Sequence, residues 1–513
     1  MRLIVTPAVC LFAALSFATM IPPLDEGKKP NIIFFLVDDM GWQDTSVPFW
    51  TEKTPGNRIY QTPHMERLAR EGMKFTQAYA SSVCSPTRVS IMTGMNAARH
   101  RVTNWTLRRN IPEDHKDELL GMPQWNMNGL QPSDSIEHAV YATTLPQILR
   151  QNGYNTIHCG KAHWGAMGTP GANPLNLGFE KNIAGHAAGA PGSYFGEKNF
   201  GNASPQELTL PWGVPGLEQY HGDSIHLTEA LTREAIRALE AARRQDKPFF
   251  LHMSHYAVHT PLEPDARFCQ AYRDMGLTEP EARFASMVEG MDKSLGDLMD
   301  YLDRHALADR TVLVFLSDNG SLSATARGGT LHTHNRPLRS GKGSAYEGGI
   351  RVPMLVKWPG AVPGGTVCHQ PIIAEDFFPT LLEIAGVKQF RTVQTTDGQL
   401  FTNHLLQRKH VEKERELVWH FPNRWGPSGP GIGTTSTVRL GDWKLIYWYK
   451  DGKKELYRLD KDISEEHDLA AVNPKKVAEL ASTLGSYLRK RGADRPLFIS
   501  TGKPAPWPDG RLD

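Results

Sequence analysis

The chain reads as an α/β protein with a second, smaller α+β part at its C-terminal end. Three observations predict this. Four apolar runs each end in a burst of polar residues, helical patterns lie between them, and the texture changes after about residue 390. "NIIFFLV" (31–37) runs into Asp38 and Asp39, and "YNTIHCG" (154–160) into Lys161 and His163. "PFFLHMSHYAV" (248–258) runs into His259, and "TVLVFLS" (311–317) into Asp318 and Asn319. Unbroken apolar runs suit strands covered on both faces by helices. The helices follow in order. "PHMERLAREGMKF" (63–75) opens on a proline, as helix N-termini do, and "TLPQILRQNG" (144–153) closes on a glycine. In 281–305, Phe284, Met287, Val288, Met291, Leu295, Leu298, Met299 and Leu302 recur at helical spacing, which reads as a core face. Beyond 390, "TSTVRLGDWKLIYWYKDGKKELYRLD" (435–460) reads as an antiparallel meander turning at "KDGK", with a helix at about 475–490.

Composition narrows the function classes. With 513 residues the chain can bury more than one core. Its 57 basic and 55 acidic residues leave a net charge of +2 without a long basic run, which argues against nucleic acid as a partner. The first residues stand apart. Arg2 precedes "LIVTPAVCLFAALSFA", too short for a comfortable membrane span, and small residues at 16–18 stand at cleavage spacing. Residues 1–18 therefore read as a secretory signal and the protein as exported, periplasmic or secreted, with no stable membrane span. The remaining cysteines, Cys84, Cys159, Cys269 and Cys368, are too few for a disulfide scaffold.

Ligands bind beyond the carboxyl ends of strands in open α/β sheets. Asp38 and Asp39 would face opposite sides within a regular strand, but past its end the backbone can turn and bring both to one site. The same holds for Asp318 and Asn319. Three carboxylates and an amide oxygen are hard ligands suited to Ca²⁺ or Mg²⁺, although either acidic pair alone is also an ordinary turn former. Cys84 is the misfit, because a soft thiolate is a poor partner for such a cage. It opens Cys84-x-Pro86-x-Arg88, with three residues between Cys and Arg where thiol phosphatases place five, so a thiolate phosphatase is disfavoured.

With "LVDDMGW", "CSPTRVSIMTG", "GKAHWG", "HTPLEP", "LSDNGS" and "GKGSAYEGGIRVPMLVKWPG" in this order, nearly the whole mature chain resembles the type I sulfatases of the alkaline-phosphatase-like superfamily, bacterial carbohydrate sulfatases in particular. The resemblance implies a large mixed central sheet sandwiched between helices. Residues 30–390 would form the catalytic domain and 391–513 a C-terminal subdomain carrying a short antiparallel sheet. It implies that Cys84 is converted to formylglycine by a formylglycine-generating enzyme, the hydrated aldehyde being the nucleophile. Asp38, Asp39, Asp318, Asn319 and the modified Cys84 would hold one Ca²⁺. Arg88 would hold the hydrated aldehyde, Lys161 and Lys342 the sulfate oxygens, and His163 would assist at the nucleophile or sulfate. His259 would protonate the leaving oxygen. The substrate would be a sulfated saccharide, with Gal/GalNAc units of mucin or glycosaminoglycan as the expectation. His186, His334, Asn335, Arg336, Arg101 and Trp105 are the candidates for sugar recognition, lying in Gly-rich or polar loops. A phosphomonoester or phosphonate hydrolase on the same fold, and a glycan-binding pseudo-sulfatase, are the alternatives.

Overall fold

A computed structural model describes residues 29–202, 211–329, 331–408 and 414–512; the expected signal segment 1–18 lies outside these. The central sheet has nine strands: β1 (Asn31–Val37), β2 (Met73–Tyr79), β3 (Asn155–Gly160), β4 (Lys181–Ile183), β5 (Phe249–Ser254), β6 (Thr311–Ser317), β7 (Arg351–Lys357), β8 (Thr366–Cys368) and β9 (Ile372–Ile373). Eight of them lie in the order β8-β2-β7-β6-β1-β5-β3-β4, with β9 also beside β2. Neighbours pair in parallel except at β7, which runs antiparallel to both β6 and β2. The sheet is therefore mixed, and the first residues of β7 meet the edge at which the other strands end.

The apolar runs are unbroken because both faces are buried. In β1, Ile33, Phe35 and Val37 enter one core while Ile32, Phe34 and Leu36 enter another across the sheet. Each such side chain removed from water contributes roughly 1.5–3 kcal/mol. On the first face pack α1 (Pro63–Glu71), α4 (Leu227–Arg243) and α5 (Glu279–Arg304); on the second, α2 (Cys84–Thr93), α3 (Leu145–Gln151) and α6 (Phe377–Ile384). The expected methionine-bearing stripe of α5 is buried along its length.

Two boundaries move. The run 248–258 stops being a strand at Ser254, so His255–His259 belong to the loop beyond. The helix expected over 63–75 ends at Glu71, and Met73 already begins β2.

The C-terminal part holds an antiparallel sheet of β10 (Glu416–Phe421), β11 (Thr435–Leu440), β12 (Trp443–Trp448) and β13 (Lys454–Arg458), covered by α7 (Pro474–Lys490). Its own core includes Val418, Val438, Leu445, Leu456, Leu480, Leu484 and Leu488. Among the described residues no helix is long and apolar enough to cross a membrane.

Candidate active site

The carboxyl edge of the sheet carries a buried cluster of charge. Asp39 follows β1 with a left-handed φ of 59°, a conformation that costs a non-glycine residue roughly 1–2 kcal/mol. This turn brings consecutive carboxylates to one place, as the sequence required. One ligand-capable atom from each of Asp38, Asp39, Cys84 and Asp318 lies within 4.8 Å of the others, and all four residues are buried. Cys84 reaches the cluster as the first residue of α2, which follows the end of β2 and is buried over all ten of its residues. Its Sγ lies 3.8 Å from Asp38 Oδ1.

Three cations balance the three carboxylates. Lys161 Nζ donates to Asp38 Oδ2 at 2.5 Å, and Lys342 Nζ to Asp39 Oδ2 at 2.9 Å. Arg88, one helical turn beyond Cys84, donates from Nε to Asp318 Oδ2 at 2.8 Å. Its Nη1 binds the Lys161 carbonyl at 2.9 Å and Ser254 Oγ at 2.7 Å, so this side chain ties together the ends of β3, β5 and β6. Lys342 enters through the reversal of β7, because the segment leading into an antiparallel strand arrives at this same edge.

Burial and the neighbouring Asp318 and Asp39 push the Asp38 carboxyl well above its usual range, with Lys161 pulling the other way. Asp39 is held low: Lys342, His259 and Lys161 together outweigh the cost of burial. Burial pushes the Cys84 thiol up to about 12, against the pull of the two lysines. As encoded, Cys84 is therefore a protonated thiol and not a thiolate nucleophile at neutral pH.

The residues fit a hard cation. Asn319 is fully buried, and its Nδ2 donates to Asp39 Oδ1 at 2.8 Å and to the Gly320 carbonyl, while its Oδ1 has no partner. A buried amide oxygen without a donor is costly unless a ligand takes it. Together with the carboxylates of Asp38, Asp39 and Asp318 it makes an all-oxygen set of the kind Ca²⁺ prefers.

Above the cluster opens a cavity of about 630 Å³. Cys84, His163, His259 and Lys342 contribute to its lining. His163 donates from Nε2 to the Thr106 carbonyl at 2.8 Å, which leaves Nδ1 bare and unpartnered. Burial, Lys161 and Arg88 hold this imidazole neutral. His259 donates from Nδ1 to the Thr260 carbonyl at 2.9 Å, so Nε2 faces Asp39 Oδ2 at 3.7 Å. Burial and the lysines lower His259 to about 3, although a fifth of its side chain is exposed.

The structure brings together all the residues expected at the metal and the reacting bond. The sugar-recognition candidates scatter. Trp105 lines the cavity, its ring centre 6.5 Å from that of His163. His186 lies outside the lining, its ring beside Tyr256 and its carbonyl accepting the His163 N–H. It is Gly189, Ala190, Pro191 and Gly192 of that loop that reach the cavity, and Gly189 lies so close to His163 that a Cβ there would come within 2.3 Å of the ring. Arg101 pairs with Asp494, and Arg336 lines a separate hollow with Arg339 and Trp50. Asn335 is fully buried and donates to the Gly348 carbonyl, while His334 packs behind Gly341. Trp212, His115 and Trp425 line the cavity without having been foreseen. For Trp425 the signal was present: a lone indole in the Gly- and Pro-rich stretch "WGPSGPG" (425–431).

Comparison with known proteins agrees with this geometry. The sequence family described as Sulfatase matches residues 30–387, and one described as N-sulphoglucosamine sulphohydrolase, C-terminal, matches residues 341–493. A sulfatase of Formosa agariphila is 28% identical over 552 residues, covering 96% of each chain. Human N-acetylgalactosamine-6-sulfatase is 31% identical over 460 residues, covering 87% of this chain and 76% of that protein. The crystal structure of Ps i-CgsB in complex with k-i-k-neocarrahexaose superposes with a TM-score of 0.72 at 25% identity, covering 95% of each chain.

Proposed function

The chain belongs to the sulfatase family and is a sulfuric ester hydrolase, and from that premise we propose that its substrate is a sulfate ester on a saccharide, cleaved with Ca²⁺ and a formylglycine made from Cys84. One observation carries this reading. Cys84 lies among three carboxylates and an unpartnered amide oxygen, with Lys161 and Lys342 on those carboxylates, in the lining of a cavity large enough for a sugar. The relatives' names point the same way, since one is an N-acetylgalactosamine-6-sulfatase and Ps i-CgsB was crystallised in complex with a neocarrahexaose.

Asp38, Asp39, Asp318 and Asn319 would hold the cation, and formylglycine at position 84 supplies a hydrated aldehyde whose oxygen is both a hard ligand and a nucleophile. Lys161 and Lys342 are fixed by their carboxylate partners and offer their remaining N–H donors to the sulfate oxygens. Arg88 fixes Asp318 and the Lys161 backbone, which sets the distance between nucleophile and lysine. His259 presents Nε2 to the cavity from a tautomer set by Thr260; neutral in the empty site, it would have to gain a proton on Nε2 with the substrate in order to pass it to a leaving sugar oxygen. His163, in the same lining as Cys84, keeps Nδ1 without a partner.

The test is the mass of the peptide containing Cys84 from active enzyme, together with sulfate release. Conversion removes sulfur and two hydrogens and adds one oxygen. Fully active protein with an unmodified Cys84 overturns the nucleophile, and a phosphate monoester cleaved faster than any sulfate ester overturns the reaction. Export, with 1–18 as the leader, belongs to the same proposal. N-terminal sequencing of the mature protein tests it, and a start upstream of residue 18 would count against it.

A further inference from the structure

Three half-buried tryptophans, Trp105, Trp212 and Trp425, line the cavity above the reacting groups. An indole left partly open inside a cavity offers an apolar face that water solvates poorly. Two of these rings are tied to the catalytic groups. Trp425 packs on Gly343, where a Cβ would come within 2.1 Å of the ring, and Lys342 Nζ lies 5.7 Å from its centre. On its other side His115 abuts Gly426, where a Cβ would meet Nε2 at 2.5 Å. Trp105 precedes Thr106, whose carbonyl holds His163. Both rings therefore stand at fixed positions relative to the bond that breaks.

The charge on this lining is sparse. Among the described residues Lys342 is its only permanent cation, and that lysine is engaged by Asp39 and assigned to the sulfate. Arg424, next to Trp425 in the chain, is paired away from the cavity and binds Asp117 at 2.7 Å. The segment 203–210, preceding Trp212 in sequence, contains no Lys or Arg. A carboxylate or a second sulfate on the reacting ring would thus be desolvated with no counter-charge, which is expensive.

We propose that the reacting sugar is an uncharged hexopyranose carrying a single sulfate, its apolar face set against the indole lining to which Trp105, Trp212 and Trp425 contribute, and that uronate or doubly sulfated rings are excluded. The proposal rests on the saccharide sulfatase reading above. The active, formylglycine-bearing enzyme is assayed on monosulfated galactose and N-acetylgalactosamine, on a disulfated N-acetylhexosamine, and on a disaccharide with a sulfated uronate at the reacting end. The neutral monosulfated rings should lead in kcat/KM by about tenfold or more. Trp425→Ala and Trp105→Ala should each raise KM on them by about tenfold, more than they lower kcat, and Trp425→Phe should recover most of the loss. Melting curves accompany each variant, and if Trp425→Ala unfolds the test rests on Trp105→Ala and on the comparison of substrates. A charged ring turned over as well as the neutral ones, or folded alanine variants with unchanged KM, overturns this specificity and leaves the sulfatase reading standing. Sulfate release from none of the saccharides overturns both.

Discussion

The protein buries two clusters of opposite charges, and they behave differently. At the sheet edge, Asp38, Asp39 and Asp318 face Lys161, Lys342 and Arg88. At the junction with the small sheet, Lys444 of β12 binds Glu347 at 3.0 Å and Glu465 at 2.7 Å, all three fully buried. Tyr79 donates to Glu347 at 2.7 Å, Arg351 pairs with it at 3.3 Å, and Arg439 reaches Tyr79. Burial and opposite charge are common to both, so neither identifies a reactive centre. The first cluster differs in opening onto a cavity and in keeping Asn319 Oδ1 and His163 Nδ1 unpartnered, whereas a left-handed residue is common to both, Asp39 in one and Glu465 in the other. One arrangement leaves binding capacity unused and the other spends it on joining two sheets. A functional site is recognised by what remains unsatisfied.

The largest expected effect tests this contrast. Cys84→Ala should lower sulfate release to background while the melting temperature moves by no more than a few degrees, since the side chain contributes little packing. Substantial residual turnover would remove Cys84 from the chemistry. Chelation should likewise suppress release, with Ca²⁺ restoring it and melting falling in its absence, because only the first cluster has free oxygens for a cation. Activity indifferent to exhaustive chelation would refute the ion.

At the junction the loss should appear as stability. Lys444→Met leaves two buried carboxylates facing each other and should cost about 3–5 kcal/mol in denaturant unfolding. A cost under about 1 kcal/mol would show that the junction does not depend on this pair.

The smallest effect is a pH dependence. Burial and Glu347 raise Glu465 to about 7, whereas Lys444, Arg351 and Arg439 hold Glu347 low despite its burial. A carboxyl raised in the folded state destabilises it as pH climbs from about 4.5 towards 7, because the unfolded chain ionises first. A carboxyl held low contributes stability above about 4.5 that is lost as pH falls below it. The pair therefore contributes most near pH 4.5–5, and Glu465→Gln should flatten the decline above it by no more than about 3 kcal/mol. Parallel stability curves for the two proteins across that window would contradict the assignment.

Much of this was legible in the sequence, for a physical reason. The runs 31–37 and 311–317 are strands over the residues expected, because burial on both faces forces every side chain to be apolar and the polar residue that follows marks the edge. Motif residues at those edges inherit their positions from the strand ends, and so Asp38, Asp39, Lys161, Asp318 and Asn319 converge. The sugar-recognition residues had no such anchor. Side chains on long loops point where tertiary contacts send them: Arg101 goes to Asp494, Asn335 to Gly348, and His186 lies below its own loop. Trp425 comes from the C-terminal part, and no local pattern says which distant loop will cover a cavity. The reversal of β7 was equally hidden, since apolar runs do not encode direction.

That reversal has a consequence for how such a protein can change. Lys342, which pairs with Asp39 in the buried carboxylate cluster, and Glu347, which bolts the small sheet, lie five residues apart on the stretch that enters β7. The C-terminal layer cannot be exchanged as a detachable module, because its anchor and the lysine that pairs with Asp39 share a single tether. Lineages that remodel this layer to meet a new sugar must do so around Glu347, with Trp425 free to vary and the stretch beneath it held constant.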